Sequence, residues 1–153
     1  VLEPRRAPWF ELAEALPVLI SLREAQSEPA VAFDSVRPLA LAIVQVESAL
    51  FEHESTDALV QVISLQLLAA RLHEVGNAAV PAALASQSST PASEWAAQLQ
   101  RQWPARTGGA VPRRLLSALE DSRLQRFTSV EEGIAPLSPA RALWLGWRAA
   151  RQR

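Results

Sequence analysis

The side chains best suited to catalysis or metal binding in this sequence are its two histidines, each followed by a glutamate: His53-Glu54 and His73-Glu74. On a helix, H-E-x-x-H sets two imidazoles one turn apart on one face, and a zinc ion needs that second ligand. The required positions here hold Asp57 and Asn77. Di-iron bundles use Glu-x-x-His, but Leu50 and Ala70 stand three residues before the two histidines. The absence of cysteine removes thiolate ligands, disulfides and thiol nucleophiles, and fits a reducing compartment. Serine is frequent, yet there is no G-x-S-x-G elbow, no phosphate loop and no G-x-G-x-x-G turn after a strand. Gly108-Gly109 has no strand before it and no lysine after it, and so predicts a tight turn between helices rather than a phosphate cradle. The expectation is a protein with no metal, no cofactor and no catalytic centre, whose work is binding.

Tryptophan is the residue type that speaks for binding. The chain has five. Large aromatics at helical spacing usually enter cores, although Trp is also the residue most enriched at interface hot spots. Trp144 and Trp147 share a helical face at i, i+3, and Arg148, Arg151 and Arg153 follow them. At a chain end this pattern describes an apolar anchor with a basic rim, which makes Trp144, Trp147 and Arg148 candidate partner-binding residues.

The elements that must position these residues read as helices throughout. Residues 57–76 contain a run of 13 uncharged residues from Ala58 to Ala70, with Gln61, Ser64 and Gln66 inside it. A bilayer span needs about 18–20 apolar residues, so the run predicts a buried helix rather than a membrane segment. Leu59, Val60, Val62, Ile63, Leu65, Leu67, Leu68, Leu72 and Val75 cover most of its circumference, which marks the central helix, surrounded by others. Ser55 or Thr56 supplies its N-cap, Asp57 complements the dipole, and Gly76 ends it. Before it, a helix from Pro8 to about Ala25 is bent at Pro17, and a second, capped by Asp34 and Ser35 with Pro38 in its first turn, reaches Phe51. After it, residues 77–90 form the main loop, with a helical turn near Pro81 to Leu84. Thr90-Pro91 opens a helix to about Trp103, another spans Val111 to Asp121, a turn at Ser129 leads to Gly133, and Ser138-Pro139 caps the last. No segment alternates apolar and polar residues over strand length between turn signals. The predicted fold is all-α, six to eight helices in a compact bundle, with room for two small three-helix subdomains sharing a core.

At 153 residues the chain fits a single helical domain, 1–153. Its 15 basic and 16 acidic residues nearly cancel, so there is no broad positive field for nucleic acid. Every basic residue is arginine, and Tyr and Met are absent, as GC-rich codon usage would produce. A lysine-free chain is also what an effector avoiding ubiquitination inside a host cell would carry. The first residue is Val, which suggests a fragment of a longer protein, and no secretion-signal pattern is visible.

Taken in order, the segments resemble the cytoplasmic domain of the TssL (DotU-like) inner-membrane proteins of bacterial type VI secretion systems. Pro17-Val-Leu-Ile-Ser-Leu-Arg23 is similar to that family's P-L-L helix ending in L-R. Val36-Arg37-Pro38 through Ile43 to Phe51-Glu52 is similar to its "LR…I…FE" helix. Leu67-Leu-Ala-Ala-Arg-Leu-His73-Glu74 resembles the family's YALCAALDE, one residue longer, with His73 where the family has Asp and with Glu74 kept. Thr107-Gly108-Gly109 followed by Leu115-Leu116-Ser-Ala-Leu119 is similar to its Gly-Gly segment, and Leu145-Gly146-Trp147-Arg148-Ala149-Ala150-Arg151 to its "L-G-F-x-G-R-Y-R" end. Departures are the replacement of N-T-P-W-G by Asn77-Ala-Ala-Val-Pro81 and of the F-F pair by Arg113-Arg114, which imply a diverged member.

The resemblance implies a non-enzymatic adaptor on the cytoplasmic side of the bacterial inner membrane, linking the membrane complex to the baseplate. Its expected partners are a TssM-like inner-membrane protein, TssK-like baseplate proteins and a second copy as a homodimer. It also implies a transmembrane helix shortly after residue 153. In the family layout Glu74 stands at the mouth of a cleft between two helical subdomains, which adds it and its neighbour His73 to the candidate partner-binding residues. A helical effector or regulatory interaction domain unrelated to secretion-complex assembly is the alternative.

Overall fold

The structure, a computed structural model, describes residues 7–18, 27–129, 133–134 and 137–151. Its elements in chain order are α1 (Ala7–Ala15), α2 (Pro29–Phe51), α3 (Asp57–Val75), a 3-10 turn (Gly76–Ala79), α4 (Ala82–Gln87), α5 (Pro91–Arg101), α6 (Val111–Leu124), strands β1 (Phe127–Ser129) and β2 (Gly133–Ile134), and α7 (Pro139–Arg151). The fold is an all-α bundle of seven α-helices among the described residues. The two strands form a minimal antiparallel pair that sequence alternation could not announce, because three residues and two are too few to show a period.

α3 is the helix the others surround. The Thr56 hydroxyl accepts a bond from the Leu59 amide at 3.3 Å, Asp57 sits in the first turn, and Gly76 at φ 58° caps the far end by donating to Leu72 O. From Leu59 to Ala69 every side chain is buried except exposed Gln61 and half-buried Leu67. Ser64 is accommodated by donating to Val60 O at 2.8 Å. By length and composition alone α2 and the helical run Asp57–Ala79 would each suffice to cross a membrane. In the bundle they pack against each other, as core helices do.

Two predicted boundaries are corrected. α2 begins at Pro29, so Asp34 and Ser35 lie inside it, and Pro38 is in its interior rather than its first turn. Pro29 occupies the first helical position after extended Glu28, and the early start lets Ala32 and Val36 join the core beside Trp95. Pro38 faces solvent, where the carbonyl it leaves unpaired can be hydrated. α1 is interrupted after Ala15 by a turn at Leu16 and Pro17, and Val18 is helical again, as the predicted bend at Pro17 requires. The rest of that predicted helix, from residue 19, lies outside the described residues. The predicted loop 77–90 is instead mostly the 3-10 turn and α4. Thr90 makes no side-chain cap, whereas Ser88 Oγ accepts from the Thr90 amide at 3.0 Å.

The core falls into two clusters. The larger joins α2, α3 and α5 around Trp95, which is fully buried and meets Phe33 edge-on with ring centroids 6.2 Å apart. The smaller holds Ala40, Val44, Leu59, Val60 and Ile63, and Leu67 packs against both. α6 joins this core through Leu124 at its end, and near its start it is held by polar contacts. Arg113 reaches Glu47 on α2, with Nε to Oε2 at 3.1 Å and a second bond from Nη2 to Oε1, while Nη1 donates to Gln66 on α3. Its approach is fixed by Gly109, at φ 83°, where an added Cβ would stand 2.9 Å from Leu59 Cδ2.

Arg113→Ala leaves the Glu47 carboxylate and the Gln66 amide largely buried without their partner. Urea unfolding followed by far-UV circular dichroism should show a loss of about 3–5 kcal/mol, the usual consequence of removing one member of a buried ion pair. An unchanged midpoint would mean that α6 is held by its apolar contacts alone.

Candidate interaction surface on the last two helices

α7 is held along one face and free along the other. Its inner side chains, Ala142, Leu145, Gly146 and Ala149, lie against α6, and Gly146 allows the approach, since a Cβ there would come within 3.3 Å of Leu115 Cδ1. Arg114 grips the helix end: Nε donates to Ala149 O at 3.1 Å, Nη2 to Ala150 O at 3.4 Å, and Nη1 back to Gly109 O at 2.9 Å. One guanidinium thus satisfies carbonyls that a helix C-terminus leaves open and ties them to the turn that starts α6.

The outer face carries Leu143, Trp144 and Trp147, which are 75%, 52% and 55% exposed. The Arg148 guanidinium carbon lies 5.4 Å from the Trp144 ring centroid and that of Arg151 4.2 Å from the Trp147 centroid, so each cation covers part of a ring while keeping its donors in water. The predicted i, i+3 Trp pair is present with Arg148 and Arg151 beside it, and Arg153, the third arginine of the predicted rim, lies outside the described residues. Of the five Trp, Trp95 is core, Trp103 is half-buried, and Trp9, Trp144 and Trp147 are exposed.

Beside this face a cavity of about 260 Å³ opens between α6, α7 and residues 103–107. Ser117, Asp121 and Ser122 line it from α6, and Arg141, Trp144 and Arg148 from α7. Ser117 is held by Trp103 Nε1 at 2.9 Å and Thr107 Oγ1 at 2.6 Å. Burial pushes the Asp121 carboxyl above its ordinary value, against hydrogen bonds from Gln125 and Gln100. Its neighbour Glu120 turns toward α3, where Oε2 lies 3.3 Å from His73 Nε2 and Oε1 accepts from Arg123 Nη1 at 2.6 Å. Burial alone would raise Glu120, but the hydrogen bonds and charges of His73 and Arg123 outweigh it and hold the carboxyl below its usual range.

The candidate residues therefore separate. Trp144 and Arg148 share the cavity rim, and Trp147 sits on the outer face next to them. His73 is nearly buried, tilted against the Phe127 ring and engaged with Glu120, so its role in the bundle is to join α3 to α6. Glu74 is exposed, with its charge felt by Arg71 one turn earlier. Among the described residues no three His, Asp or Glu side chains converge as a metal site would require. Sequence reasoning missed Arg114, Glu120 and Asp121. The signal was the spacing of α6, where Arg113, Ser117 and Glu120 follow i, i+4, i+7 and Arg114 and Asp121 follow i, i+7 on a neighbouring line.

No protein family, curated protein or solved structure matches this chain. What the fold and the surface define is a class, a helical bundle with an exposed aromatic and basic face on its last helix.

The adjacent carboxyls predict opposite pH behaviour. Glu120 has a folded pKa below its unfolded one, so its contribution is full above the ordinary carboxylate range and is lost as pH falls through the folded value. Asp121 has the reverse, so the folded state is weakened as pH rises through its unfolded and then its folded value. At pH 7 Glu120→Gln should lower Tm and Asp121→Asn should raise it. Both gaps should close in acid. Separately, EDTA and added zinc should leave Tm unchanged, because His73 meets one carboxylate, Glu120, and no third ligand converges on either histidine among the described residues. A rise of several degrees with zinc would show a site.

Proposed function

We propose that this chain is a non-enzymatic adaptor domain that binds other proteins through the outer face of α7. The observation that carries the reading is the exposure of Leu143, Trp144 and Trp147 on a helix already secured by its inner face and by Arg114. Apolar surface left in water forgoes about 25 cal/mol per Å², and the fold obtains nothing in return. A partner does, since Trp and Arg are the residues that dominate interface energetics.

The segment-by-segment resemblance to the TssL (DotU-like) cytoplasmic domain gives the adaptor its setting. In that setting it works on the cytoplasmic side of the inner membrane of a type VI secretion system, between a TssM-like membrane protein and TssK-like baseplate components. Exposed Glu74 supplies a further charge for recognition at the end of α3, while His73 maintains the α3–α6 junction behind it.

The test is capture of purified TssM-like and TssK-like proteins from the same organism by the wild-type chain, by Trp144→Ala/Trp147→Ala and by Glu74→Lys. Both variants should keep the helical circular-dichroism signal and a Tm near wild type. The double Trp variant should bind at least about tenfold more weakly, the equivalent of about 1.4 kcal/mol. Glu74→Lys should slow association, as a rim charge does. If the wild-type chain captures neither protein, the secretion reading is wrong. If capture survives the loss of both Trp side chains, α7 is not the docking face.

A further inference from the structure

Charges of opposite sign line the cavity between α6 and α7, and the fold gives none of them a counter-charge. Asp121 contributes to its α6 side, and Arg141 and Arg148 to its α7 side. Glu120, one residue before Asp121, is met by His73 and Arg123, whereas among the described residues Asp121, Arg141 and Arg148 take part in no ion pair. Asp121 Oδ2 accepts from Gln125 Nε2 at 3.0 Å, and Oδ1 is enclosed without a hydrogen-bond partner. The next residue, Ser122, is 3% exposed, lines the same cavity and also leaves its hydroxyl without a partner. Two unmet polar groups on one turn of α6 mark a place where the bundle by itself supplies too few partners. Burial already pushes the Asp121 carboxyl above its ordinary value, so keeping an acid here weakens the fold, and a charge held at such a cost is a mark of a binding site.

We propose that this cavity binds a free amino acid, with its ammonium at Asp121 and its carboxylate at Arg141 and Arg148. Charge placement disfavours simpler ligands, since an amine alone would be repelled by the arginines and a carboxylate alone by Asp121. The ammonium and carboxylate of an α-amino acid sit on one carbon, and so can lodge between a carboxylate and guanidiniums that stand too far apart to pair with each other. At about 260 Å³ the cavity holds the equivalent of about nine waters at about 30 Å³ each, a size that suits a ligand of about nine to twelve non-hydrogen atoms, the range from leucine to phenylalanine. Trp103, Trp144 and Leu145 provide the apolar surface for its side chain, and Trp103 is fixed in place by its bond to Ser117. The cavity is separate from the outer face of α7, although Trp144 and Arg148 border both, and the proposal does not depend on what docks on that face.

Isothermal titration calorimetry of the 153-residue chain at pH 7 with L-leucine, L-glutamine and L-phenylalanine tests this, followed by the amide and N-acetyl forms of whichever binds most tightly. The wild-type chain should bind at least one of the three with a Kd below about 1 mM, and each blocked form should bind at least about tenfold more weakly. Asp121→Asn should weaken the free amino acid and remove most of the penalty for N-acetylation. Arg141→Gln/Arg148→Gln should weaken it too and remove most of the penalty for amidation. Both variants should keep the helical circular-dichroism signal, because the first relieves a half-buried charge and the two arginines of the second are exposed. Absence of binding by all three amino acids would overturn the proposal. So would blocked forms that bind as well as the free amino acid, or two folded variants that bind like wild type. Binding of acetate or inorganic phosphate with no gain from an ammonium would also overturn it, leaving a plain anion site. A chain that captures TssM-like or TssK-like protein but binds no amino acid loses this proposal alone, and one that binds an amino acid without capturing either keeps it.

Discussion

The placement of α6 on the two long helices turns on one guanidinium. Arg113 is tied to Glu47 and Gln66, side chains of the two long helices, in a place where none of the three is well hydrated. A buried ion pair of this kind adds little net stability over apolar packing, but it tolerates few geometries, because each misplaced donor leaves a carboxylate or amide unsatisfied. It therefore sets the position of α6 rather than merely holding it. α7 follows, since Arg114, the next residue, grips its terminal carbonyls, and β1 follows as the continuation of α6.

α6 works as a polar spine between an apolar bundle and an outer helix. Arg113, Ser117 and Glu120 engage α2, α3 and the segment before α6, while Arg114 and Asp121 look toward α7. One consequence is that two consecutive carboxyls experience opposite environments. Glu120 is met by His73 and Arg123, whereas Asp121 is only partly compensated by amide groups, and a residue step of about 100° is enough to separate them.

What could be read from the sequence follows the strength of local signals. α3 was legible to within a residue, its cap left between Ser55 and Thr56, because it has an acidic first turn, an uninterrupted apolar body and a terminal Gly. The start of α2 was not, because Asp34-Ser35 carries the stronger capping signal, and only the tertiary packing of Ala32 and Val36 extends the helix back to Pro29. The exposed pair Trp144 and Trp147 was legible as a binding candidate from its basic surroundings. Glu120, Asp121 and Arg114 were not, since a polar residue on a helix announces nothing until it is known which side of the helix is covered. His73 illustrates the same limit: its neighbour Glu74 drew attention in sequence, but its partner in space is 47 residues away on α6.

The distribution of tryptophan gives the molecule a built-in optical contrast. Trp95 is enclosed beside Phe33, and Trp103 is fixed by its bond to Ser117, whereas Trp9, Trp144 and Trp147 meet water on the two outermost helices. Intrinsic emission is therefore the sum of a sheltered population and an accessible one, which iodide or acrylamide quenching would resolve. With tyrosine absent from the chain, excitation at 280 nm reports indole almost alone. Any molecule that covers α1 or α7 alters the accessible fraction and leaves the sheltered one as an internal standard, so occupancy can be followed without a label.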